Sequence, residues 1–431
     1  MQHRITAPRS IHADVTLPAS KSISNRVLII AELAGMPLTE IENLSDCDDT
    51  LVMVEALTHR PATMDVGAAG TAMRFLTALT AATPGAHHLL TGTERMCHRP
   101  IGILVDALRQ LGADIRYLGT EGYPPLHING CRLSGGTIEL PATVSSQYIS
   151  ALLLIGPMLE QGLTLRLKGN IISRPYIDLT LCIMRDFGAE VEWVDTQTIG
   201  VKPIPYRPRP YVVENDWSAA SYWYEMIALS DGDDDSITLR GLMDGSKQGD
   251  SSVRYVFSLL GVKTQFATKD TGVPTTVTLR RKPFHVPRLD YDFSGQPDLA
   301  QTFVVCCCMM GVPFHFNGLS TLRIKETDRI VALQREMAKL GFSIEAIGDS
   351  ELMWNGQRGS MPQSDDVVVI DTYHDHRMAL SFAPAAVRLP SLAINDPTVV
   401  SKSYPRFWQN LSDAGFTVQD ADIGPQPITK G

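Results

Sequence analysis

Nine basic residues of this chain share one kind of position, at or just before the start of a helical pattern. They are Lys21, Arg26, Arg74, Arg99, Arg174, Lys325, Arg329, Arg377 and Lys402. A helix N-terminus carries roughly half a positive charge, so a cation there costs about 0.3–1 kcal/mol. An anion held between the backbone N–H groups and those cations reverses the sign. The chain has a formal net charge of −9, so a basic composition does not explain the pattern. A ligand carrying several negative charges does. Two carboxylates among the cations, Asp298 and Glu326, could transfer protons.

The elements that must present these residues recur along the sequence. An amphipathic helix, a glycine and a strand repeat around Gly112, Gly188, Gly261, Gly341 and Gly415. A second helix alternates with the first and is apolar almost all round, so it is expected to be buried. Its starts lie near Ser22, Thr71, Gln147, Ser218, Leu299 and His376. That makes six units, three in each half of the chain. The first is short, because Ala56 to Val66 offers little where a strand or two would stand. Each buried helix opens on polar residues: Lys21-Ser22, Gly67 to Arg74, Ser145-Ser146-Gln147, Asp216-Trp217-Ser218, Pro297-Asp298 and Asp375-His376-Arg377. Related by rotation, these openings would converge in each half. Ser20 or Ser22 can cap the first helix, and Gly35 ends it. Lys325 and Arg329, four apart, are expected on one helix face. Asp231 to Asp235 is expected to be a solvated loop, and the strand pattern of Ile5 to Leu17 could pair with either half.

A chain of 431 residues suggests two or three domains. Its acidity argues against a nucleic-acid surface. No run of about 18 apolar residues suggests a membrane span, and Met1 to Leu17 lacks the apolar core of a signal peptide. The seven cysteines show no CxxC or Cys/His metal spacing, and Cys306-Cys307-Cys308 reads as buried helix. A reducing cytoplasm without structural zinc is expected.

The stretches LPASKSISNR, GAAGTAMR, ERMCHRPIG, SSQYISALL, ISRPYIDLTL, DWSAASYW, QPDLAQT, RIKETDRI, DHRMA and SKSYPRF span residues 17 to 407 in order. Together they resemble the 5-enolpyruvylshikimate-3-phosphate synthase family of enolpyruvyl transferases. The resemblance implies an α/β, two-domain inside-out barrel of six βαβαββ-type repeats, three per domain, the first shortened here. It implies one domain from residues 20–213 and another from 1–19 plus 214–431, with hinges near 18–21 and 212–216. Domain closure on substrate is part of that expectation.

The implied reaction moves the enolpyruvyl group of phosphoenolpyruvate to the 5-hydroxyl of shikimate 3-phosphate and releases phosphate. It runs by addition and elimination through a tetrahedral intermediate, within the shikimate pathway of aromatic amino acid biosynthesis. Carried over residue by residue, shikimate 3-phosphate meets Lys21, Ser22, Arg26, Ser145, Ser146, Gln147, Ser173, Tyr176, Asp298, Thr321 and Lys325. Phosphoenolpyruvate meets Lys21, Gly70, Arg99, Gln147, Arg329, Arg377 and Lys402. Asp298, Glu326, Lys21 and His376 form the catalytic set: Asp298 as base for the hydroxyl, Glu326 or Lys21 as proton donor to the enol carbon, and His376 in support. The expected partners are these small molecules, with no cofactor, no metal, no nucleic acid, no membrane, and a cytoplasmic monomer.

Three positions depart from the family pattern: Ala68 and Thr321 stand where Asn is usual, and Phe75 where Pro is usual after Arg74. One alternative is the sister transferase acting on UDP-N-acetylglucosamine. Its loop cysteine lies several residues before its arginine, whereas Cys97 is two before Arg99. The other alternative is a non-catalytic anion-binding relative, against which the retained Asp298, Glu326 and Lys21 argue.

Overall fold

The computed structural model describes residues 1–268, 270–359 and 367–421. The six polar openings each start a helix, at Lys21–Ala34, Gly70–Ala82, Ser146–Ile155, Trp217–Leu229, Ala300–Met310 and His376–Phe382. These inner helices alternate with outer helices Asp48–His59, Gly102–Gln110, Arg174–Asp186, Val253–Leu259, Arg329–Lys339 and Phe407–Asp413. The inner helices bury nearly every residue past their first turn, as their all-round apolar composition requires. Cys306, Cys307 and Cys308 lie fully inside this layer, and burial pushes all three thiols up. Such thiols are packing groups rather than nucleophiles.

The repeated glycines close the outer helices. Gly112, Gly188, Gly261, Gly341 and Gly415 all have positive φ, between 81° and 104°, a conformation that favours a residue without Cβ. Each glycine turns its helix toward the next strand.

Among the described residues there are five four-stranded sheets and one of two strands. In the third repeat, Gly136–Pro141 runs parallel to Leu163–Lys168 across an inner helix. Thr198–Val201 and Val191–Trp193 then continue the sheet in antiparallel fashion. The N-terminal segment forms two strands that go to different sheets. Gln2–Thr6 lies between Leu392–Asn395 and Thr417–Ala421, and His12–Thr16 runs parallel to Ser236–Met243. Pairing thus places both strands with the C-terminal half, a choice that composition left open.

The shortened repeat is the two-stranded sheet, in which, among the described residues, Ile41–Glu42 pairs only with Tyr211–Val212. The chain forms two compact units. The N-terminal unit holds Ala19–Glu214 and Lys247–Gly249, and the C-terminal unit holds Met1–Pro18, Asn215–Ser246 and the chain from Asp250 on. Each unit has its own apolar core.

Two local expectations are corrected. Asp231 to Asp235 is not wholly solvated, since Asp235 is buried and accepts from Ile11 N (2.8 Å), Ser10 Oγ (2.9 Å) and Gly232 N (3.1 Å). Buried N–H groups need acceptors, and this carboxylate serves the strand that arrives from the N-terminus. Lys325 and Arg329 do not share a helix face. Asp328 caps the helix by accepting from Ile330 N and Val331 N, so Lys325 and Glu326 precede it. The short helical turn Ser320–Ile324 stops just before them, and the aspartate starts a new helix rather than continuing that turn.

Candidate active site

In the C-terminal unit the helix openings meet around one guanidinium. Arg329 is 1% exposed at its side chain. Its Nε and Nη2 donate to the two oxygens of Asp375 (2.7 and 3.2 Å). Nη1 also donates to Asp298 Oδ1 (3.2 Å), and Nη2 to Glu326 Oε2 (3.0 Å). Burial alone would lower the Arg329 guanidinium, but Asp375, Glu326 and Asp298 together hold it above its ordinary value. Breaking one side of such a buried network is expensive because the other charges stay buried.

Two carboxylates of this network also face further cations. Asp298 Oδ2 accepts from Arg377 Nη2 (2.8 Å), and Lys325 Nζ lies 3.5 Å from Asp298 Oδ1. Glu326 Oε1 accepts from Lys402 Nζ (2.6 Å). Asp298 is therefore set among Lys325, Arg329 and Arg377, and Glu326 between Arg329 and Lys402. Burial lowers the Lys325 ammonium despite the Asp298 charge, which makes that proton more easily moved than an exposed lysine's. The Tyr222 hydroxyl accepts from Arg377 Nη1 (3.1 Å) and fixes the other edge of that guanidinium. His376 is buried, with Nδ1 3.6 Å from Asp375 Oδ1. Thr321 Oγ1 is a buried atom without a hydrogen-bond partner among the described residues.

The N-terminal unit uses a different chemistry. Lys21 begins its helix with Ser20 as the cap, and Lys21 Nζ lies 3.3 Å from buried Asp49 Oδ2. Arg26 is buried and donates to neutral acceptors: Thr180 Oγ1 (2.7 Å), Ser22 O (2.7 Å), Ser150 Oγ (3.2 Å) and Tyr176 O (3.2 Å). Burial pushes Arg26 down to about 10. These bonds tie the first inner helix to the third inner and outer helices. Ser145 caps its helix by accepting from Gln147 N (3.3 Å), and Gln147 Nε2 donates to Thr71 Oγ1 (3.2 Å), joining the second and third openings. The Arg99 guanidinium lies over Gly70, where a Cβ would come 2.8 Å from Nη1. Ser173 is a buried non-glycine residue in left-handed conformation (φ 56°) at the opening of Arg174–Asp186. Strain of this kind collects at functional sites.

Lys21, Ser22, Gly70, Arg99, Ser145, Ser146, Gln147, Ser173 and Tyr176 thus stand at the openings of the N-terminal unit. Asp298, Thr321, Lys325, Glu326, Arg329, His376 and Arg377 stand at or beside those of the C-terminal unit. Lys402, expected to open the last outer helix, is instead the final residue of the short helix Pro397–Lys402, ahead of Phe407–Asp413. Two of the nine cations do other work. Arg74 donates to the Gly70 and Pro100 carbonyls (3.3 and 3.0 Å) and braces the loop bearing Arg99. Arg174 stacks on Trp193 at 4.2 Å. Sequence reasoning missed Asp49, Tyr222 and the part played by Asp375. Asp375 directly precedes His376-Arg377 and could have been found as a cap; Asp49 and Tyr222 carry no comparable signal.

A model of the family described as EPSP synthase (3-phosphoshikimate 1-carboxyvinyltransferase) matches residues 5–62 and 57–411. The chain belongs to the EPSP synthase family. It is 54% identical over 422 residues to the 3-phosphoshikimate 1-carboxyvinyltransferase of Bacteroides fragilis strain ATCC 25285, covering 97% of this chain and 99% of that one. Against the protein of the same name from Photobacterium profundum it is 34% identical over 431 residues, covering 94% and 96%. The fold is shared with EPSP synthase from Acinetobacter baumannii, at a TM-score of 0.77, 20% identity and coverage of 97% and 100%. It is also shared with the enolpyruvyl transferase NikO from Streptomyces tendae, at a TM-score of 0.69, 17% identity and coverage of 97% and 98%. No group of three or more His, Cys, Asp or Glu suited to a metal occurs among the described residues.

Proposed function

We propose that this chain transfers the enolpyruvyl group of phosphoenolpyruvate to the 5-hydroxyl of shikimate 3-phosphate and releases phosphate. The observation that carries the reading is the C-terminal cluster. There, two carboxylates are each held by two or more cations at converging helix openings. Such a cluster can exchange its internal ion pairs for contacts to a polyanion, and can shift a proton as it does so.

Asp298 takes the proton of the 5-hydroxyl, whose oxygen attacks C2 of phosphoenolpyruvate while C3 gains a proton. Two groups can carry that C3 proton, Lys21 and Glu326. The tetrahedral intermediate then loses a proton from C3 as the C–O bond to phosphate breaks. Arg99, Arg329, Arg377 and Lys402, with Gly70 and Gln147, hold the phosphoenolpyruvate charges. Lys21, Ser22, Arg26, Ser145, Ser146, Gln147, Ser173, Tyr176, Thr321 and Lys325 hold the phosphorylated acceptor. The orphaned Thr321 hydroxyl supports a ligand contact there, since a buried hydroxyl without a partner costs about 1–3 kcal/mol. His376 supports the cluster through Asp375. Most of the rate comes from positioning and preset charge.

The hinges lie near 18–21 and 212–216, and the chain acts as a cytoplasmic monomer. All seven cysteines are free, which supports a reducing compartment. No helix among the described residues is long and apolar enough to cross a membrane. The deciding experiment is phosphate release from phosphoenolpyruvate with shikimate 3-phosphate or UDP-N-acetylglucosamine as acceptor. Turnover with the first supports the reading; turnover with the sugar nucleotide alone overturns it.

A further inference from the structure

The chain makes a short detour after strand Ser236–Met243. It belongs to the C-terminal unit up to Ser246, to the N-terminal unit for Lys247–Gly249, and to the C-terminal unit again from Asp250. Connecting segments usually run over the surface with solvated side chains. This one does not. Gln248 is 6% exposed, and its Oε1 accepts from Ser20 Oγ at 3.0 Å. Ser20 is the cap of the helix whose first residue is Lys21. Gly249 lies against Pro175, so closely that a Cβ at position 249 would fall inside van der Waals contact with the proline ring. Pro175 lies between Ser173 and Tyr176, at the start of Arg174–Asp186.

One residue later the surroundings change. Asp250 is buried in the C-terminal unit and accepts from Ser218 Oγ. Burial, and then the charge of Asp298, push the Asp250 carboxyl up to about 6, with Arg377 acting in the opposite sense. Gln248 and Gly249 therefore touch the Lys21 helix opening and the Ser173–Tyr176 opening, both within the N-terminal unit.

We propose that Gln248 and Gly249 are positioning residues for the enolpyruvyl transfer, holding the Lys21 opening and the Ser173–Tyr176 opening of the N-terminal unit in place. The proposal rests on the functional reading above. Its physical basis is local contact: the Gln248 amide holds the cap of the Lys21 helix, and Gly249 packs on the proline that starts Arg174–Asp186. The Lys21 opening is not set freely while the buried amide keeps its hydrogen bond, as a buried polar group must.

The test uses the full chain and measures the Kd of shikimate 3-phosphate by calorimetry and its KM in the phosphate-release assay. Gln248→Ala and Ser20→Ala each raise both constants about fivefold, the effect of one net hydrogen bond. The double variant is no worse than either single one, as expected of groups acting through one contact. Gln248→Glu keeps an acceptor for Ser20 and stays within about twofold of wild type. Gly249→Ala displaces the segment from Pro175 and raises both constants about tenfold. A merely structural role lowers the folded fraction, and with it the apparent kcat, but leaves Kd and KM alone. Wild-type turnover with unchanged constants in Gln248→Ala and Gly249→Ala overturns this proposal only. So do additive effects in the double variant. Wild-type protein that neither binds nor turns over the substrate overturns the functional reading and this proposal with it.

Discussion

The two units answer the same problem, a cluster of cations at helix openings, in different ways. The C-terminal unit sets Lys325, Arg329, Arg377 and Lys402 against Asp298, Glu326 and Asp375. The N-terminal unit satisfies Arg26 with hydroxyls and carbonyls, Arg74 with carbonyls, and sets Lys21 beside one carboxylate, Asp49. A cation facing a carboxylate belongs to a system that can trade protons and partners. A cation facing neutral oxygens keeps its charge available and its position fixed. On the proposed reading the difference divides the labour: the C-terminal cluster carries most of the proton chemistry, with Lys21 as the other candidate donor, and the N-terminal cluster supplies most contacts to the phosphorylated acceptor.

The largest effect expected from breaking this contrast is at Arg329. Arg329→Met leaves Asp375, Asp298 and Glu326 without their shared cation and should cost about 3–5 kcal/mol of stability, read by chemical denaturation. An equivalent loss of charge at Arg26 leaves only neutral acceptors behind and should cost less. Equal losses at the two sites would erase the distinction.

Asp250 sharpens the contrast through pH. Its folded carboxyl is raised from 3.8 to about 6, so between those values the folded state binds more protons than the unfolded chain. Stability therefore falls as pH rises through that window and stays lower above it. Asp250→Asn removes the penalty and should gain on the order of 2 kcal/mol at pH 7. The gain should fade toward pH 4, as followed by thermal melts across pH. A gain that does not depend on pH would show that ionisation of Asp250 is not its origin.

A smaller effect belongs to the N-terminal unit. Gly70→Ala forces the Arg99 guanidinium aside, since the new Cβ would lie 2.8 Å from Nη1. Binding of phosphoenolpyruvate should weaken about tenfold, the loss expected of a charged hydrogen bond put out of place. Binding of shikimate 3-phosphate should change less. Equal losses for both ligands would count against Gly70 and Arg99 as phosphoenolpyruvate contacts.

Much of the fold was legible in the sequence because its signals are local. A glycine that closes a helix recurs where the backbone needs positive φ, and apolar runs such as Phe303 to Met309 mark the buried helices. The shortened first repeat was visible as missing residues and is now a two-stranded sheet. Pairing across long separations was not legible. Nothing near Ile5 announces that it lies opposite Val418, and Asp235 looks like one of a run of exposed acids until Ile11 meets it. The cations of the site were found from their positions at helix openings. Their counter-charges were found less well, because Asp49 and Asp250 resemble ordinary acids at the start of a helix or turn. The KETD stretch misled for a related reason: four-residue spacing implies a shared face only inside a helix, and Asp328 starts the helix after Lys325 and Glu326.

The division of labour rests on Asp298, which stands among three cations and is assigned the proton of the attacking hydroxyl. The most direct test is phosphate release by Asp298→Asn at saturating substrates, with shikimate 3-phosphate binding to the same protein as its control. The account predicts that release falls by about a thousandfold or more while the Kd stays within about tenfold, the pattern of a group needed in the transition state. Phosphate release near the wild-type rate would contradict it.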